Sequence, residues 1–75
     1  MDRKILFSNL EAELIRAKIN KSELAAMVGI SRGSLSSKLS GKTDFKLDDM
    51  QTIKARLETF TGENYTLDFL FKRDD

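Results

Sequence analysis

Cysteine, histidine and proline are all missing from the 75 residues of this chain. Without cysteine there is no disulfide and no thiolate metal site, and without histidine the commonest imidazole ligand and general base is gone as well. Stability must come from packing of the chain on itself or on a partner chain. The lack of proline suits a succession of helices broken by glycine and polar turns. Nothing approaches the run of ~20 apolar residues that a membrane span needs, and Ile5, Leu6 and Phe7 after Arg3 and Lys4 are too few for the core of a signal peptide. These absences predict a cytoplasmic, all-α protein with no cofactor, no metal, no membrane association and no evident small-molecule ligand. A chain of 75 residues without an internal repeat supplies a single domain, 1–75. Its core is small, since a domain of this size buries only about 60% of its unfolded surface.

Residues 20–41, NKSELAAMVGISRGSLSSKLSG, are the most constrained part of what is present. Asn20 offers a side-chain oxygen to cap a helix over 21–28, with Glu23 at the reciprocal capping-box position, and Ser31 offers a hydroxyl to cap a second helix over 32–40. Gly29 stands where the first of these must stop and reverse, a place that calls for a positive φ, and Gly41 stops the second. Leu24, Ala25 and Val28 form one apolar edge at helical spacing; Leu35 and Leu39 form the other. Small Ala25 lets the two helices approach closely. The pattern is a helix-turn-helix, a unit that holds its second helix out where it can enter a DNA groove. Such corners also occur as plain structural joints, so spacing must carry the assignment.

Counted from Lys21 as first position, Ala25 falls at the fifth, Gly29 at the ninth and Leu35 at the fifteenth. In this the chain resembles the helix-turn-helix of the lambdoid phage repressor and Cro proteins and of the wider family of xenobiotic-response-element-type bacterial regulators. Lys38 departs from the pattern at the eighteenth position, which is usually aliphatic, and Leu39 beside it supplies the buried contact instead. The resemblance implies a five-helix lambda-repressor-like DNA-binding domain whose helix-turn-helix is formed by helices 2 and 3, in a Cro-like or short repressor protein.

Elsewhere, Ser8 and Glu11 make a capping box for a first helix with Leu10, Leu14 and Ala17 inward, ended by Lys18. Leu47, Met50, Ile53, Leu57 and Phe60 trace the apolar face of a fourth, whose first turn carries Asp48 and Asp49 and which Gly62 breaks. Thr66 caps a short fifth helix with Leu67, Phe69, Leu70 and Phe71, and the charged tail 72–75 is expected to fray. The C-terminal aromatics exceed what a small core needs, which makes Phe69, Phe71 and Tyr65 the candidates for a homodimer interface.

Charge supports a nucleic-acid partner through its distribution. Residues 16–46 hold seven basic and two acidic side chains, a net +5 within a chain of net +1. On the second helix of the motif, Arg32, Gly33, Ser36 and Ser37 are the expected base readers, with Arg32 the one long side chain able to reach guanine O6 and N7. Asn20, Lys21, Ser31, Lys38, Ser40, Lys42 and Thr43 are the expected phosphate contacts. Double-stranded DNA, bound by a homodimer on a palindromic operator, is the expected partner of this transcriptional regulator. The alternative is a protein-binding module of the same fold, such as an antitoxin-like or anti-repressor protein. An enzyme is not expected, because the paired Asp48 and Asp49 at a helix start suit the helix dipole better than acid catalysis.

Overall fold

The structure, a computed structural model, describes residues 5–74. Five helices follow one another: α1 (Ser8–Ala17), α2 (Lys21–Val28), α3 (Arg32–Ser40), α4 (Leu47–Thr61) and α5 (Leu67–Leu70), with no strand among the described residues. The chain is all-helical, as its composition predicts. Each helix gives the centre at least one fully buried side chain: Leu10, Leu24, Leu35, Ile53 with Leu57, and Leu70. Burying such a side chain contributes about 1.5–3 kcal/mol, so six of them dominate the stability of a small domain. α4 runs beside α1, α2 and α5 and is the axis of the packing.

The capping chemistry of α2 is as its sequence predicts. Asn20 Oδ1 accepts from the Glu23 N–H at 2.8 Å and Glu23 Oε1 accepts from the Asn20 N–H at 2.9 Å. At α5, the Thr66 hydroxyl oxygen accepts from the Phe69 N–H at 3.1 Å.

The capping box expected at Ser8 and Glu11 is absent. Ser8 is the first helical residue, the N-cap is Phe7, and no side chain of the local sequence caps the helix. Packing explains the change: Leu6 and Phe7 are both drawn into the core, which fixes the chain's entry into α1. The Ser8 N–H donates instead to Asp74 Oδ2 at 3.2 Å, and the Asp74 N–H donates to the Leu6 carbonyl at 2.8 Å. The tail expected to fray is thus tied to the start of α1 as far as Asp74; Asp75 lies outside the described residues.

Two members of the expected α4 face are exposed, Leu47 at 56% and Phe60 at 54%. At about 100° per residue, Leu47 stands roughly a quarter turn or more away from Ile53 and Leu57. Phe60 stands past the last packed turn, just ahead of the positive-φ stop at Gly62. Of the C-terminal aromatics, Tyr65 is buried and its hydroxyl donates to Glu13 Oε1 at 2.7 Å; burial first, then this carboxylate, pushes the phenol pKa up.

Surface carboxylates brace the same end. Glu58 accepts from the Tyr65 N–H at 2.9 Å and pairs with Lys54 at 3.1 Å, and these two partners hold it below the ordinary carboxylate range. Glu63 is held low by Arg16, which also donates to Glu13. A carboxylate depressed on folding stabilises above its unfolded pKa of about 4.3, and that contribution is lost as pH falls through the folded value. The melting temperature is therefore expected to fall as pH drops below about 4. Glu58→Gln should flatten that fall, measured by circular dichroism melts across acidic pH.

Candidate nucleic-acid interface

Between α2 and α3 lie three residues, Gly29, Ile30 and Ser31. Gly29 adopts φ +83°, and its N–H and that of Ile30 both return to the Ala25 carbonyl at 2.9 and 3.0 Å. The Ser31 hydroxyl oxygen accepts from the Ser34 N–H at 3.0 Å and starts α3. That bond uses an oxygen lone pair and leaves the Ser31 O–H available to donate outward. Among the described helices only α2 runs alongside α3. Leu35 and Leu39 anchor it inward, while Arg32, Gly33, Ser34, Ser36 and Ser40 are exposed. α3 is thus a helix held at the rim, presenting a low surface of glycine and hydroxyls with one long cation in its first turn.

The residues read as a site from the sequence fall into separate groups. Ser36, Ser37, Ser40 and Lys42 line one shallow hollow, and Ser31, Gly33, Ser34, Ser37 and Thr43 share the adjoining one with Lys38. Asn20, Lys21 and Arg32 line a third, with Glu11, Leu14, Ile15 and Ile19. Most of the expected base readers and phosphate contacts therefore share one surface. Arg32 sits with the start of α2, away from Lys42 and Thr43.

Lys38 does not present its charge to that surface. Its Nζ donates to the Asp44 carbonyl at 3.1 Å and pairs with Asp49 at 3.6 Å, with only 12% of the side chain exposed. The eighteenth position of the motif faces inward, so the lysine stem packs and its ammonium reaches across to α4. Ser40 is also internally engaged: its hydroxyl donates to the Ser37 carbonyl at 3.1 Å and has no second hydrogen for a phosphate. Lys21 shares its charge with Glu11 at 3.7 Å. Of the seven basic residues in 16–46, Lys18, Arg32, Lys42 and Lys46 make no ion pair among the described residues, which leaves Arg32 and Lys42 as the site's uncommitted cations. Lys46, exposed at the N-cap of α4, is a cation the motif gave no reason to select.

The Lys38 and Asp49 pair carries its own test. Lys38→Met leaves a mostly enclosed carboxylate unpaired and is expected to cost about 1 kcal/mol, less than the ~3–5 of a fully buried pair because both groups keep some solvent. The double variant with Asp49→Leu should recover most of that loss in thermal melts. A single variant that melts like the parent would show the pair to be idle.

Among the described residues no cluster of acidic side chains could hold a metal ion, and no helix is long and apolar enough to cross a membrane. Compared with protein-family models, with curated proteins and with solved structures, the chain matches none.

Proposed function

We propose that the protein is a sequence-specific, double-stranded-DNA-binding regulator of transcription, a lambda-repressor-like domain that lays α3 in the major groove. The observation that supports this best is the isolation of α3 at the rim, with Arg32 in its first turn and small polar residues along its outer face. Small side chains let the helix backbone come close to base edges, and Arg32 can pair bidentately with guanine. Lys42, Thr43, Ser31 and the amide of Asn20 then hold phosphates and set the register. With so few direct readers, part of the specificity comes from how easily the operator deforms. Two copies on half-sites one helical turn apart, about 34–36 Å, double the readout, with exposed Phe69 the candidate contact between them. A cytoplasmic location goes with this reading.

Selection of bound duplexes from a random pool at fixed salt tests it. Arg32→Ala is expected to cost about 1–3 kcal/mol on the best duplex and to relax one base per half-site. Lys42→Ala should weaken all duplexes alike and reduce the salt slope by about one. Should both variants bind the selected duplex as the parent does, α3 is not the reading face.

A further inference from the structure

The hollow beside Arg32 differs from the rest of the α3 surface. Its floor is aliphatic, made by the buried Leu14 and Ile19 where α1 turns into α2, and its volume is about 380 Å³. Ile15 is the most exposed large apolar residue described, at 78%, although its neighbour Leu14 is buried. Arg32 and Lys21 stand at the rim. The rim's acid, Glu11, is already paired with Lys21, whereas Arg32 has no ion pair or side-chain hydrogen bond with a described residue. An uncommitted guanidinium beside an apolar floor and the protruding Ile15 matches a carboxylate carried next to an aliphatic side chain, a pairing that phosphates alone do not offer because they have nothing apolar to cover Ile15. The volume lies at the low end of ligand pockets, about 300–1,000 Å³, and so suits an anchoring side chain with its neighbours.

We propose that this groove docks an acidic segment of a partner protein, one of whose aliphatic side chains covers Ile15 while a neighbouring carboxylate pairs with Arg32. Because Arg32 serves both surfaces, the bound segment competes with duplex. The competition rests on the DNA-binding reading above; the docking does not. An Arg–carboxylate pair is bidentate and directional, so the segment binds in one register.

The test uses a panel of fluorescently labelled peptides of about a dozen residues, with Leu or Ile at helical spacing among Glu and Asp, and the same panel with Lys in place of the acids. Anisotropy should show binding of acidic members only, and amide shifts in nuclear magnetic resonance spectra should centre on Ile15, Ile19 and Arg32. Ile15→Gln, at an exposed position, should weaken the peptide about tenfold or more while leaving affinity for the selected duplex unchanged. Arg32→Ala should weaken both ligands. Failure of every acidic peptide to bind would overturn the docking, as would shifts centred away from the groove. So would shifts of the groove residues on concentrating the protein alone, which would mean a second copy covers it. A bound peptide that leaves the duplex complex intact would overturn the competition alone.

Discussion

Phe71→Asp is expected to destabilise the domain by about 2–4 kcal/mol, through lost burial and lost aromatic pairing. Three rings meet at the base of the molecule: Phe7 and Phe45 at 5.4 Å between centroids, Phe45 and Phe71 at 5.2 Å, and Phe7 and Phe71 at 6.3 Å, all edge-on. They join the start of α1, the loop between α3 and α4, and the C-terminal segment. Phe71, partly buried, is thus engaged inside the domain and is not the freely exposed side chain its sequence position suggests, while Tyr65 is withdrawn into the core. A carboxylate among these rings would be partly desolvated and would lose the ring contacts. At about 4–8 °C per kcal/mol for a domain of this size, the melting temperature should fall by roughly 10–30 °C. Phe69→Asp is the control, because Phe69 is 44% exposed and stacks on Tyr65 from outside. It should stay within about 1 kcal/mol of the parent, as surface changes usually do. Equal melting of the two variants would remove the three-ring cluster from the account of stability.

Gly29→Val should lower the melting temperature by roughly 5–20 °C, from about 1–3 kcal/mol of backbone strain at positive φ. The position isolates the backbone effect, because a Cβ built at Gly29 meets nothing within 4 Å. Gly41 does not allow that separation: its φ is +87° and a Cβ there would stand 3.0 Å from Leu6 Cδ2. Gly29→Asn, which tolerates the left-handed region better than a β-branched residue, should recover much of the loss. Under the proposed function, whatever Gly29→Val protein remains folded should keep the parent's base preference, because Gly29 acts through the angle between α2 and α3 and touches no base. A valine variant that melts with the parent would mean the turn escapes its strain by another conformation.

Features whose causes lie within a few residues were legible along the chain. Asn20 with Glu23, Ser31 with Ser34 and Thr66 with Phe69 are bonds between residues three apart, and Gly29 and Gly41 end helices by their own backbone freedom. The bounds of α2 and α3, and hence which face of α3 carries Arg32 and the serines, follow from such signals together with the Leu35 and Leu39 spacing. Features that depend on distant partners became visible only once the helices were packed. Ser8 and Glu11 form no capping box, because burial of Leu6 and Phe7 sets the entry to α1 and Asp74, 66 residues away, serves the Ser8 N–H. Lys38 leaves the phosphate surface for Asp49, Lys21 shares its charge with Glu11, and Phe71 goes inward while Phe69 stays out. A cap is completed by the turn that carries it. An ion pair or a ring contact is completed only when packing brings a second element within reach, and a helical period does not name that element.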